Sequence, residues 1–417
     1  MLSFGTIYGM AKGQHKWGFK ARFRANAYGW RGSGLASKRL KEAVSEINKV
    51  AKRDPVEAGE GAVALLERLW PALQGIDTST GALGGAVSTT LENLIPRLID
   101  APADQLVRQK WLERLFTAIQ EDGVDYLAPL EDRWGEICVF PELADAWVET
   151  LMPTVRRVWS DHSSFSFMNG DHACLSCLLH LGRYQEMNDL ISLQARPIWS
   201  TEQFSAEALA RQGMTDAAIA FAEARRVDGH GAWQIIQFCE RVLLEAGREE
   251  EAYRDYGLLA ADGNTYLSVF RATVKQYPKL NPRQVLLDLI STRGGKGKWF
   301  AAAKSAGFLD VALECAAKGT SEPATLIRAA RDFMDKEPGF SAQIALQAIQ
   351  DLLAGKGYEP TPSDSVAAFD LAVAAASRLE RQKWVEKEVQ RILDQAEARS
   401  SAPLMCKVVR RSLEALA

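Results

Sequence analysis

Four side chains of metal-binding type fall within nine residues: His172, Cys174, Cys177 and His180 in the run HACLSCLLH. Zinc accepts imidazole and thiolate, but a structural site usually closes its tetrahedron with two ligands from a turn and two from a distant segment. Here all four stand in one apolar run of helical pattern. At about 100° per residue they spread over about 200° of arc, too wide to converge on one ion. The run therefore reads as a core helix with buried cysteines, and no metal or cofactor is expected.

A second stretch, STRGGKGKW (291–299), sets three bases among three glycines, and such loops can wrap phosphate with backbone amides. It departs from the nucleotide-binding loop because Lys298 is followed by Trp299, where Ser or Thr should reach magnesium. A solvated turn between helices is expected. RGSG (31–34) lacks the spacing of a serine nucleophile elbow and reads as a helix breaker. The five histidines, His15, His162, His172, His180 and His230, form no His-Glu-x-x-His motif, and no carboxylate pair stands out. No catalytic residue is assigned, and the chain is not expected to be an enzyme.

The strongest chemical signal is electrostatic. Residues 12–53 carry twelve Lys and Arg against Glu42 and Glu46, a local balance of +10 in a chain of net charge −3, so the remainder carries −13. Aromatic rings are interleaved with these bases. A helix over 16–30 would place Phe19, Phe23, Ala27 and Trp30 on one stripe beside Lys16, Lys20 and Arg24. The candidate contacts to phosphate or to an acidic partner are Lys16, Lys20, Arg22, Arg24, Arg31, Lys38 and Arg39. Rings and bases together suit single-stranded nucleic acid, whereas a stripe at helical spacing suits packing on the chain's own acidic body. A third possibility is an acidic protein or a membrane surface.

Helical spacing of apolar residues recurs nearly everywhere, and strand alternation is scarce, so the fold class is all-α. Leu40, Val44, Ile47 and Val50 form one stripe, stopped by Asp54-Pro55. Further helices are expected over 57–74, 86–99, 103–121 and 141–158, with DTSTGALGGAV (77–87) as a capped turn. Trp111, Trp134, Trp147, Trp159 and Trp199 are expected to pack between helices.

Four windows align in register: LLHLGRYQEMNDLI (178–191), LARQGMTDAAIAFA (209–222), LLEAGREEEAYRDY (243–256) and AKSAGFLDVALECA (303–316). Each sets a glycine after an apolar helix end, at Gly182, Gly213, Gly247 and Gly307, spaced by 31, 34 and 60 residues. Five positions later stand Met187, Ala218, Ala252 and Ala312. Glycine takes the left-handed conformation that ends the first helix, and a small residue lets the second pack closely. The unit is a helical hairpin. Over roughly 170–320 this resembles tetratricopeptide-type repeats, whose period is about 34 residues. The resemblance implies an α-solenoid of stacked antiparallel helix pairs, which works as a binding surface. The N-terminal part, through DTSTGALGGAV and LERLFTAIQEDGVDYLAPLEDRWGE (112–136), resembles a helical region of uncharacterised bacterial proteins. Some of those carry a Cys-x-Cys…Cys-x-His zinc finger; no Cys-x-Cys occurs here, so that finger and its nucleic-acid role are not carried over.

The expected organisation is a basic, aromatic segment over 1–32, a helical region over 33–160 and repeats over 161–417. At 417 residues and 47% hydrophobic, the chain can bury a sizeable core. The six cysteines sit inside apolar helical patterns, which points to reduced thiols in a cytoplasmic protein. No apolar run reaches the length of a membrane span. MLSFGTIYGMA lacks a basic region ahead of its apolar part, unlike a secretory signal, and Met10 is an alternative start. The expected function is a non-catalytic scaffold for a protein or peptide partner, with nucleic-acid binding or regulation through the basic segment as the alternative.

Overall fold

The computed structural model describes residues 15–79, 81–161, 168–226, 232–295 and 298–416. Met10, Lys12, His162 and His230 lie outside them. The protein is all-α: 73% of it is helical, with no strand among the described residues. The chain divides into two compact units, 1–226 and 227–417.

The first unit runs through α1 (Ser33–Ala51), α2 (Pro55–Leu66), α3 (Leu69–Leu73), α4 (Ala82–Asp100), α5 (Gln105–Glu121), α6 (Ala128–Asp132), α7 (Trp134–Cys138), α8 (Pro141–Trp159), α9 (Asp171–His180), α10 (Tyr184–Ile191), α11 (Trp199–Arg211) and α12 (Thr215–Glu223). Helix α1 packs on α2 and α4, α2 on α5, and α9 on α6, α7 and α8. Asp54 ends the α1 stripe as expected: its side chain accepts the Glu57 N–H at 3.0 Å, and Pro55 opens α2. The helix expected over 57–74 is broken at Glu67 and Arg68. Pro71 has no N–H to give the Glu67 carbonyl, so the ladder fails one turn before it.

Two glycines of α2 are explained by close approach. A Cβ on Gly59 would stand 2.4 Å from the Trp111 ring, and one on Gly61 would stand 2.3 Å from the Trp17 ring. The helix interior thus tolerates glycine, at about 1 kcal/mol each, because two indoles lie against its bare backbone. Trp134, Trp147 and Phe116 form another cluster between α5, α7 and α8, with Trp134 to Trp147 at 5.3 Å and Phe116 to Trp147 at 4.8 Å. Arg108 is fully buried, its guanidinium over the Trp111 ring at 5.6 Å, and its hydrogen bonds go to carbonyls: Nη1 donates to Leu98 and Ile137 at 2.8 Å, and Nη2 to Ala101 at 2.6 Å. It satisfies carbonyls at the ends of α4 and α7 that no intrahelical donor reaches.

The second unit comprises α13 (Ala232–Glu245), α14 (Glu249–Ala252) continuing through a π turn (Tyr253–Gly257) into α15 (Leu258–Ala260), α16 (Tyr266–Gln276), α17 (Pro282–Arg293), α18 (Lys298–Ala306), α19 (Leu309–Ala317), α20 (Pro323–Phe333), α21 (Pro338–Leu353), α22 (Pro362–Arg378), α23 (Gln382–Ala398) and α24 (Pro403–Glu414). Helix α21 packs against α20, α22 and α23. Thr265 and Thr361 open α16 and α22 with reciprocal capping boxes.

The four register glycines each sit just past a helix end with positive φ: +69° at Gly182, +75° at Gly213, +74° at Gly247 and +89° at Gly307. The residue after each donates its N–H five positions back, Arg183 to Leu178, Met214 to Leu209, Arg248 to Leu243 and Phe308 to Ala303, at 2.9–3.0 Å. This is the six-to-one bond of a Schellman turn. A Cβ at these glycines would meet nothing within 4 Å, so φ alone asks for glycine. Met187, Ala218, Ala252 and Ala312 are all fully buried. The same turn recurs where the glycine register does not point, at Glu380 (φ +57°) and Ser400 (φ +52°), with Arg381 and Ser401 both donating to residues five back.

Candidate interaction surface

The basic, aromatic segment is folded onto the first unit, but not as the expected helix. Only Gly18–Ala21 makes a helical turn, of the 3-10 kind. Asn26 takes a left-handed φ of +54°, its N–H donates to the Pro71 carbonyl at 2.8 Å, and its side chain accepts from Gln74. Further up, His15 N–H donates to Glu57 at 3.1 Å and Gly18 N–H to Glu46 at 2.8 Å. These partners hold an extended path in place of an internal ladder. The buried rings are therefore Trp17, Phe19, Phe23 and Tyr28, at 1–6% exposure, whereas Ala27 is exposed and Trp30 is 68% exposed. Phe19 and Phe23 are core as their pattern suggested; Trp30 is not.

The seven candidate bases divide into two groups. Arg22 and Arg39 both reach Glu42, at 2.5 and 2.7 Å, and the Arg39 hydrogen bond holds that carboxyl below its ordinary range. Lys16, Lys20, Arg24, Arg31 and Lys38 make no ion pair among the described residues. Lys20 and Arg24 line a cleft of about 560 Å³ shared with α3 and α5. Arg31 and Lys38 flank the exposed Trp30 and Leu35 in sequence. RGSG is where α1 begins, with Gly32 as its N-cap.

HACLSCLLH lies entirely in α9, and its ligand types turn different ways. Cys174 and Cys177 are fully buried; burial pushes the Cys174 thiol up to about 12 and the Cys177 thiol well above its ordinary value. Neither is a thiolate near neutral pH. His172 Nδ1 lies 2.8 Å from Asp132 Oδ1 on α6, and burial pushes the His180 pKa down. Among the described residues no group of three or more His, Cys, Asp or Glu side chains could hold a metal ion. All six cysteines are buried, and none forms a disulfide.

A polar cluster that no spacing announces joins α6 to α9. Glu131 accepts the Gly170 N–H at 2.8 Å, and Asp171 and the His172–Asp132 pair stand beside it. Burial pushes the Glu131 carboxyl up to about 7 and the Asp171 carboxyl upward. Burial opposes the His172 cation, but the Asp132 hydrogen bond and nearby carboxylates outweigh it and raise its pKa. Ser176 donates to the Asp132 carbonyl and accepts the Gly135 N–H, so its hydroxyl is engaged in packing α7 and α9. These partners lie about 40 residues apart in the chain, and EDR within the acidic background carries no distinguishing signal.

In the STRGGKGKW loop, Gly294 and Gly295 have positive φ and Trp299 Nε1 donates to the Gly294 carbonyl. Arg293 donates to the carbonyls of Leu258, Leu259 and Ala261 at 2.5–2.9 Å, closing the end of α15. Its guanidinium is thus committed to the fold rather than to phosphate; Lys296 and Gly297 are outside the described residues. No helix among the described residues is long and apolar enough to cross a membrane. No protein-family model matches the chain, and no curated protein or solved structure does either.

Proposed function

We propose that the chain is a tetratricopeptide-like α-solenoid acting as a non-catalytic scaffold for a protein or peptide partner. The observation that carries this reading is the recurrence of one turn. Four helix pairs, α9 with α10, α11 with α12, α13 with α14 and α18 with α19, are joined by the same Schellman geometry with a buried residue at the same offset. Such pairs leave their outer faces for binding. Exposed Met214 and Trp233, at 50% and 42%, are apolar contacts of the kind a peptide would cover. Buried thiols without disulfides support a reducing, cytoplasmic setting.

The test is affinity capture from the source organism followed by reconstitution of the pair from purified components. A saturable complex weakened by Trp233→Glu is expected. Failure of every enriched protein to rebind in pure form would count against the scaffold.

Nucleic acid is a second reading, favoured by one observation: Trp30 is exposed beside Arg31 rather than buried in the stripe. An exposed indole next to free cations is a stacking platform for single strands. Binding of single-stranded DNA or RNA that falls steeply with salt and is lost in Trp30→Ala would favour it over the scaffold.

A further inference from the structure

The cleft of about 560 Å³ between the N-terminal segment, α3 and α5 gathers four cations, Lys20, Arg24, Arg68 and Arg114, against two carboxylates, Glu67 and Glu121. Its volume is that of a small-molecule site. The carboxylates do not use up the cations. Glu67 bridges Arg68 and Arg114, with Arg114 Nε at 2.8 Å from Oε2, and Glu60 takes Arg114 Nη1 at 2.7 Å and Trp111 Nε1 at 2.8 Å. The two guanidiniums are thereby fixed in place while Arg114 Nη2 and Arg68 Nε and Nη2 make no hydrogen bond among the described residues. Burial pushes the Glu67 carboxyl up, yet the hydrogen bonds from Arg114 and Arg68 outweigh it and keep it ionised. Lys20 and Arg24 have no ion pair at all among the described residues. One flank is apolar, formed by the half-buried Pro71 with Phe23 and Ala118 buried beside it.

We propose that this cleft binds a phosphate monoester, its dianion held by Lys20, Arg24 and the remaining donors of Arg68 and Arg114, and its organic body resting on Pro71. With Glu60 counted on Arg114, four cations stand against three carboxylates, a net positive site, and a phosphate monoester of about −1.5 to −2 near neutral pH is drawn to it more strongly than a singly charged carboxylate. Guanidinium forks suit phosphate oxygens in paired hydrogen bonds. The pre-formed bridge through Glu67 lowers the cost of ordering these long side chains on binding. The inference is independent of the scaffold reading, since it concerns residues 20–121 and not the repeat hairpins.

The experiment is calorimetric titration of the full chain at low salt with phenyl phosphate, inorganic phosphate and benzoate. Saturable one-to-one binding of phenyl phosphate is expected, with benzoate weaker by at least about tenfold. Phenyl phosphate tighter than inorganic phosphate identifies an organic monoester as the ligand class. Equal affinity for the two would show a free-phosphate site and overturn the role given to Pro71. Two variants locate the site: Lys20→Gln with Arg24→Gln, and Ala25→Asp, which adds a carboxylate at the lining without removing a contact. Both should lose at least about tenfold in affinity with an unchanged melt. No saturation by either phosphate at millimolar concentration, benzoate binding as tightly as phenyl phosphate, or wild-type affinity in both variants would overturn the proposal.

Discussion

The interior of the first unit and the α20–α23 part of the second are solved in opposite ways. In the first, large side chains fill the gaps: Trp17, Trp111, Trp134 and Trp159 are buried, two of them against bare glycine backbone, and charged groups such as Arg108 and Glu131 are enclosed with them. In the second, α20, α21 and α22 meet through alanines, with Ala329, Ala330, Ala342, Ala345, Ala368 and Ala372 fully buried. The first arrangement depends on a few large contacts and is hurt most by removing one. The second depends on backbone proximity and is hurt most by adding volume.

The largest expected effect is loss of the N-terminal segment. Deleting residues 1–32 removes four buried rings, each contributing roughly 1.5–3 kcal/mol, together comparable to the whole stability of an ordinary domain. Thermal melts with hydrogen exchange should show the first unit's helices unprotected; an unchanged melt would mean that the rings contribute little and would collapse the contrast.

Next is the enclosed carboxyl. Glu131 titrates near 7 in the fold against an ordinary value of 4.5. The folded state therefore holds a proton that the unfolded chain has lost, and stability falls as pH rises from about 4.5 to 7. The upward shifts of Asp171 and His172 act in the same direction. Glu131→Gln keeps an acceptor for the Gly170 N–H and removes the charge. It should stabilise the first unit by about 2–3 kcal/mol at pH 8, do little at pH 4.5, and flatten the pH profile of the melt. A profile as steep as that of the parent would remove Glu131 as its source.

Ala345→Leu, in the alanine interface, should cost about 1–3 kcal/mol by overpacking and shift the second unit's melt; indifference would show that α21 has room to spare. The smallest effects concern the turns. Gly213→Ala should cost about 1–2 kcal/mol for a Cβ in left-handed backbone, while Glu380→Gly, at the same turn, should gain about 1 kcal/mol or less. Paired chemical denaturation curves would measure both, and opposite signs are the result that makes the turn, not the glycine, the repeated element.

That last pair also marks how far the sequence could be read. The all-α class and the hairpins at Gly182, Gly213, Gly247 and Gly307 were legible because glycine's tolerance of positive φ leaves a residue-type signature. The turns at Glu380 and Ser400 leave none, since residues other than glycine hold the left-handed position there. The N-terminal segment misled because its period of apolar residues is helical while its backbone partners, Pro71, Glu46 and Glu57, are distant in the chain. Lys20 and Arg24 were visible as bases, but Arg68, Arg114 and Glu67 join them only in the fold. The Glu131–His172 cluster is likewise a product of α6 meeting α9.

Arg108 carries a consequence for which substitutions the protein can accept. Its guanidinium serves three carbonyls, those of Leu98, Ala101 and Ile137, with no carboxylate to balance it, so what matters at this position is the shape of the donor rather than its charge. A lysine would keep the charge but bring a compact ammonium on a flexible stem, unable to span the same three acceptors. Arg108→Lys, mild by any scale of residue similarity, should therefore be among the harsher single changes in the first unit, costing about 1–3 kcal/mol for each of the Leu98 and Ile137 carbonyls left without a donor, Ala101 keeping the Ala103 N–H, whereas the exposed Arg31→Lys should pass unnoticed in a melt. Ranking tolerance by donor geometry inverts the order that chemical likeness would give.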